Sequence, residues 1–156
     1  MKRIEAIEHL MHEAKDKYAL VITSTGHISR EVHHVMDRPE NFYVQGSMGA
    51  ALPLGIGLAL NTNRMVMVII GDGDALMSLD SMVLMKKLDL PNLKLFILDN
   101  NEYESTGGQP TCSMSVEFRL LCYCSVIFVE KGGKTVPRID IPHKKIKERF
   151  MKCLKK

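Results

Sequence analysis

Residues 65–70 read Met-Val-Met-Val-Ile-Ile, six apolar side chains in a row between Arg64 and Gly71. A strand with one wet face alternates apolar and polar residues. An unbroken run implies a strand covered on both faces, as in a parallel sheet between two layers of helices. Tyr18 to Thr23, Phe42 to Gln45, Leu93 to Leu98 and Cys124 to Val129 predict further strands. Between them the period changes. Ile4, Ile7, Met11 and Ala14 share one face of a helix. Helices are expected over about 29–36, 48–60, 76–87 and 143–154, with a short one before Cys124. Asp37 to Asn41 (with Pro39) and Asp99 to Thr111 are polar, and Lys131 to Pro142 reads as an extended linker. Alternating strands and helices predict an α/β fold, an open, mostly parallel sheet with helices on both faces. At 156 residues, one domain over 1–156 is expected.

Composition removes several classes of function. Apolar residues make up 46% and charged residues 25%, the mix of a globular chain. The longest apolar stretch, Met48 to Leu60, holds Pro53 and three glycines and falls short of the about 20 residues a spanning helix needs. The opening MKRIEAIEHLMHE has no apolar core of a signal peptide, so no membrane role and a cytoplasmic location are expected. Net charge is +3, and residues 131–156 hold ten Lys/Arg against two Asp/Glu. That tail has no interleaved aromatics for base stacking, so it reads as a solvated Lys-rich helix rather than a nucleic-acid surface. Of the four cysteines, Cys122 and Cys124 form a Cys-x-Cys pair with no second pair or His at zinc spacing. All four read as small buried or inert thiols. Eleven Met and no Trp predict an aliphatic, adaptable core.

In open parallel sheets ligands sit beyond the carboxyl ends of the strands. Two loops there are unusual. Gly71-Asp72-Gly73 ends a buried strand just before a helix, where two glycines permit a tight turn and backbone N–H groups can face a phosphate. Asp72 adds a hard oxygen ligand for a divalent cation. Alone, Gly-Asp-Gly is equally a plain turn. Asn100 lies 28 residues later, at the end of the next expected strand. If the two strands are neighbours, a carboxylate and an amide oxygen meet at one sheet edge. With a main-chain carbonyl and two phosphate oxygens they make a reasonable Mg²⁺ shell.

Gly71-Asp72-Gly73 followed by Asp99-Asn100-Asn101 resembles the thiamine diphosphate motif. The resemblance implies that Asp72 and Asn100 ligate Mg²⁺ by side chain and Glu102 by its main-chain carbonyl, with Gly71, Gly73 and Tyr103 beside the cofactor. It also implies that Gly46-Ser47-Met48-Gly49 meets the aminopyrimidine ring. The Gly46 carbonyl would accept from the amino group, Ser47 would adjoin it, and Met48 would be the apolar wedge that bends the cofactor. On its own, Met48 reads equally as core filler.

More closely, the chain resembles sulfopyruvate and phosphonopyruvate decarboxylases. The resemblance rests on Thr25-Gly26 with Ser29-Arg30-Glu31, on Asp37 to Tyr43 leading into Gly46 to Gly49, and on Ser105-Thr106-Gly107-Gly108-Gln109-Pro110-Thr111. It implies the cofactor-diphosphate half, or β subunit, of a 2-oxo acid decarboxylase acting on a small anionic acid, with conversion of 3-sulfopyruvate to sulfoacetaldehyde and carbon dioxide the expected reaction. Its partner would be a pyrimidine-binding α subunit that supplies the activating Glu, so a hetero-oligomer is expected. Decarboxylation leaves a carbanion that no side chain holds well, hence the need for a cofactor electron sink. Two alternatives stay open: a phosphonopyruvate enzyme half, and a shortened, non-catalytic remnant of the family.

Around that motif, Thr25 and His27 are expected in a loop where they touch cofactor or substrate, although His27 reads equally as a surface histidine. His33 and His34 fall inside a helix and read as structural, since helix neighbours do not face each other. Arg30 suits a sulfonate or phosphonate, but a structural ion pair is the simpler reading. Two features depart from the family. Asp74 places a second carboxylate beside the diphosphate, repulsive unless it turns away. Residues 117–131 are shorter than the family's helix, strand and helix, as after an internal deletion.

Overall fold

The computed structural model describes residues 1–133 and 136–154; Lys134, Thr135, Lys155 and Lys156, in the expected linker and at the end, lie outside the described residues. The chain runs through α1 (Arg3–Asp16), β1 (Leu20–Thr23), α2 (His27–Met36), β2 (Asn41–Tyr43), α3 (Ala51–Ala59) and β3 (Val66–Gly71). It continues through α4 (Asp72–Leu76), α5 (Leu79–Leu88), β4 (Leu93–Asp99), β5 (Glu102–Tyr103), β6 (Gln109–Pro110), α6 (Phe118–Leu121), β7 (Cys124–Phe128) and α7 (His143–Leu154). Five strands make one parallel sheet in the order β2-β1-β3-β4-β7, and β5 pairs with β6 in a small antiparallel hairpin. The expected α/β sheet is the sheet observed.

The apolar run lies at its centre. Val66 to Ile70 are each 0% exposed. Alternate residues of β3 feed two cores: Val66, Val68 and Ile70 meet α3 and α5, while Met67 and Ile69 meet α1 and α2. Each such side chain contributes about 1.5–3 kcal/mol on full burial. α7 closes the β2 edge, with Phe150 in the first core and Ile146 in the second. Arg149 grips Asp37 through both terminal nitrogens at 2.7 and 2.6 Å, and the Tyr43 hydroxyl donates to the same carboxylate. The basic tail is thus a docked amphipathic helix whose lysines stay outside.

Close packing explains one glycine of the small-residue helix. A Cβ on Gly55 would come within 2.3 Å of Val68 Cγ2, so only a bare backbone lets α3 lie this close to β3. Gly55→Ala should therefore lose about 1–3 kcal/mol by overpacking. Thermal or urea unfolding tests this; an unchanged midpoint would show that α3 has room to slide.

The structure corrects several boundaries. The helix expected over 48–60 forms only from Ala51, because Gly46, Ser47 and Gly49 all take positive φ and hold residues 46–50 as a turn. His27 opens α2 rather than lying in a loop. The helix after Gly71 is two helices, broken at Met77 and Ser78. Asp99 to Thr111 is not featureless: Gly107 and Gly108, both at positive φ, turn β5 back onto β6. On α1, Arg3 takes the buried position and Ile4 is only half-buried.

From β4 to its parallel neighbour β7 the only α-helix is the four-residue α6. Leu120, Tyr123 and Phe128 stay exposed along this edge. The expected shortening thus falls at the β7 side of the sheet. Cys112, Cys122 and Cys124 are free thiols, Cys122 buried and Cys112 exposed. Among the described residues no helix is long and apolar enough to cross a membrane.

Candidate functional site

Strand order decides where a ligand can bind. β1 lies between β2 and β3. The helix leaving β1 packs on one face of the sheet, and the helices that enter and leave β3 pack on the other. The chain therefore reverses direction across the sheet between β1 and β3, and a crevice opens outside their carboxyl ends. Ser24 and Thr25 follow β1, Gly71 ends β3 and Asp72 follows it, and Asn100 follows β4. These residues line one cleft, with Arg3, His27, Met48, Gly73, Asp74, Glu102, Tyr103 and Glu104.

Asp72 and Asn100 meet because β3 and β4 are adjacent and in register, Gly71 opposite Leu98. Asp72 is 2% exposed, and its carboxylate accepts the Thr111 hydroxyl. Burial pushes this carboxyl above the ordinary range. The Thr111 hydroxyl and the backbone N–H groups pull it down, while the neighbouring Asp99 adds repulsion. Asn100 Oδ1 accepts the Glu102 N–H at 3.1 Å, and its Nδ2 donates to Glu104 Oε2 at 3.0 Å. Asn101, at φ +59°, turns the chain away, and its N–H is held by Asp99 Oδ1 at 2.9 Å.

Gly71 and Gly73 line the cleft but do not make the tight glycine turn expected of them. Neither adopts positive φ; Gly71 is extended (φ −88°, ψ 167°) and caps α4, whose first turn contains Asp72 and Gly73. Gly73 is needed for close approach instead. A Cβ there would lie 2.4 Å from Tyr103 Cε1 and 2.8 Å from Met48 Cε. Met48 and Tyr103 thus converge over the start of α4. The turn carrying Met48 is fixed at two points: Gly46 N–H donates to Thr25 Oγ1 at 3.1 Å, and Gly49 N–H to Asp74 Oδ2 at 3.1 Å. Gly46 and Ser47 lie on this turn without lining the cleft. Asp74, whose carboxyl burial raises to about 6, points one oxygen at Gly49 and has no partner on Oδ1. The carboxylate that looked repulsive fastens the turn.

His27 lines the cleft, and burial first, then Arg3, keep its imidazole below the ordinary range. His33 and His34 do not line it; His33 stacks edge-on against Tyr43, 5.6 Å between centroids. Arg30 makes no ion pair among the described residues, which corrects the simpler reading; Arg3 and Glu31 pair instead.

The donor set fits a hard divalent cation held jointly with a phosphate. Among the described residues no three His, Cys, Asp or Glu side chains converge as a metal site. Mg²⁺ is usually held by one or two carboxylates together with substrate phosphates, and the buried Asp72 carboxylate beside an oriented amide oxygen meets that requirement. The cleft encloses about 100 Å³, against roughly 300–1,000 Å³ for a complete small-molecule site.

Four participants were given no role in the site by the sequence. Thr111 lies in the Ser105 to Thr111 segment and gave no signal of its own. Asp74 looked like a departure, and Glu104 was one acid in a polar stretch. Arg3 could have been found: it sits four residues before Ile7, on the apolar stripe of α1, where a charge requires a buried partner.

Residues 24–121 match the family described as thiamine pyrophosphate enzyme, C-terminal TPP binding domain. A sulfopyruvate decarboxylase subunit beta from Methanothermobacter thermautotrophicus is 34% identical over 177 residues, covering 97% of this chain and 95% of the relative. Another, from Methanococcus maripaludis, is 33% identical over 185 residues, covering 100% and 99%. That alignment is longer than the 156 residues of this chain, so the relative has positions with no counterpart here. A phosphonopyruvate decarboxylase from Streptomyces hygroscopicus is 44% identical over 115 residues, and the matched part is 74% of this chain but 28% of that one. The crystal structure of benzoylformate decarboxylase from Polynucleobacter necessarius shares the fold, with a TM-score of 0.68 at 15% identity over 87% of this chain and 34% of that one. With the family match spanning more than half of the sequence, and two β-subunit relatives matched along nearly their whole length, the chain belongs to the thiamine pyrophosphate enzymes and carries their C-terminal TPP binding domain.

Proposed function

We propose that this chain is the β subunit of a thiamine diphosphate- and Mg²⁺-dependent decarboxylase that converts 3-sulfopyruvate to sulfoacetaldehyde and carbon dioxide with an α subunit. The observation that carries the proposal is the meeting of Asp72 and Asn100 at one sheet edge, in a chain of which 97% matches a β subunit. In this reading the Asp72 carboxylate, Asn100 Oδ1 and the Glu102 carbonyl hold Mg²⁺ against the diphosphate. Gly71, Gly73, Thr25, His27 and Tyr103 surround that end of the cofactor. The Gly46 carbonyl and Ser47 face the pyrimidine, and Met48 supports its bend. When bound, the cofactor supplies the electron sink that accepts the charge left as carbon dioxide departs.

The small cleft supports a split site, because the rest of the coenzyme needs walls that the described residues do not provide. Met48, Leu54, Met77, Val83 and Leu84 are exposed apolar residues on the Gly46 turn and the segments after it, where a partner would cover them. The activating Glu would come from that partner, so the isolated chain should be inactive. The higher identity to the Streptomyces enzyme keeps phosphonopyruvate as a second substrate candidate. The shortened β7 side favours a third reading, a non-catalytic remnant.

Two measurements separate these readings. Calorimetry with thiamine diphosphate and Mg²⁺, with and without the α subunit, should give heat at least in the complex; none in either case supports the remnant. Coupled aldehyde assays of the reconstituted complex should then show turnover of 3-sulfopyruvate. Turnover of 3-phosphonopyruvate alone would replace the substrate assignment.

A further inference from the structure

We infer that Glu104, held by Arg3, is a positioning residue for the metal site: it fixes which end of the Asn100 amide faces the cation. The inference rests on the reading above that Asn100 Oδ1 ligates Mg²⁺. An Asn side chain presents an oxygen at one end and an NH₂ at the other, and rotation by half a turn exchanges them. Only the oxygen can ligate a cation. A carboxylate accepts hydrogen bonds and donates none, so Glu104 Oε2, 3.0 Å from Asn100 Nδ2, admits only the NH₂ end. The oxygen is thereby turned the other way, to where the Glu102 N–H meets it at 3.1 Å.

Glu104 is itself fixed. Arg3 Nη1 donates to the same Oε2 that accepts Asn100. Arg3 is fixed in turn by Glu31 on α2, which takes Nε at 2.9 Å and Nη2 at 2.7 Å. A strut thus runs from α2 through α1 to the Asn100 loop, with Arg3 8% and Glu31 3% exposed. Arg3 lies outside residues 24–121, so a segment beyond the family match reaches into the candidate metal site. Partners of this kind orient metal ligands in many sites, and losing one costs about 10–100-fold in metal affinity.

The test uses Mn²⁺ in place of Mg²⁺. Its affinity is read by the paramagnetic resonance of bound Mn²⁺ at saturating thiamine diphosphate, on the chain alone and with its α subunit. Glu104→Ala should weaken Mn²⁺ binding about 10–100-fold. Glu104→Gln, which keeps an oxygen for Asn100 Nδ2, should stay near wild type. Asn100→Asp sets two carboxylates against each other and should bind poorly; adding Glu104→Gln restores a donor facing an acceptor and should recover binding. A merely structural role predicts losses that add. The inference is overturned if Glu104→Ala binds as the wild type does, if Glu104→Gln loses as much as Glu104→Ala, or if the double variant is no better than Asn100→Asp. A wild-type complex that takes up neither Mn²⁺ nor cofactor sinks the functional reading and this inference together.

Discussion

Asp72→Ala should abolish Mg²⁺-dependent binding of thiamine diphosphate while leaving the apo fold as stable as before or slightly more so. The reasons are electrostatic and have opposite signs in the two states. In the cofactor-free protein Asp72 is 2% exposed, and burial together with the nearby Asp99 disfavours its charge. Removing it relieves that repulsion, the usual relation between a functional carboxylate and stability. In the loaded protein the same carboxylate is the one charged side chain assigned to the cation. Two unit charges 4 Å apart interact by about 4 kcal/mol at an effective dielectric of 20, and a divalent ion at bonding distance gains more. About 4 kcal/mol is roughly a thousandfold in affinity. Calorimetry gives the binding loss and a thermal melt gives the fold. Undiminished affinity removes Asp72 from the site; a large fall in melting temperature means the residue is structural.

What the sequence disclosed follows from how local each feature is. The Met65 to Ile70 run announced a central parallel strand because burial on both faces leaves no room for a polar side chain. Asp72 and Asn100 were legible as a pair because each directly follows such a strand, and neighbouring parallel strands bring their carboxyl ends to one edge. The comparisons agree with the family the motifs suggested. Other features were set by contacts distant in sequence. Gly73 is small because Tyr103 and Met48 pack over it, which nothing near Gly73 records. Asp74 looked like an intrusion until Gly49, 25 positions earlier, proved to be its partner. The β5–β6 hairpin was hidden because its strands are two residues each; only Gly107-Gly108 marked the turn.

Arg3 was the costliest omission, and Arg3→Met should give the largest loss of stability of any substitution considered. Breaking a buried ion pair by removing one partner costs about 3–5 kcal/mol, because the charge left behind has lost both water and counter-ion. Glu31, 3% exposed, is left that way; Glu104, at 17%, can turn toward solvent. For a chain of this length about 2–4 °C follows each kcal/mol, so the melting temperature should fall by about 6–20 °C. Arg3→Lys should recover only part of this, since a single ammonium cannot fork onto Glu31 and also reach Glu104. Arg3→Met with Glu31→Leu should recover much of the loss, because apolar residues of similar volume replace buried ion pairs well. Yet that double variant, refolded and stable, should still bind Mn²⁺ weakly, since Glu104 no longer has the guanidinium that holds it against Asn100. Stability and metal affinity part company there only if the strut acts on the amide. A double variant that regains both would reduce Arg3 to a fold-stabilising residue, and a shift below about 2 °C in Arg3→Met would mean that water reaches Glu31.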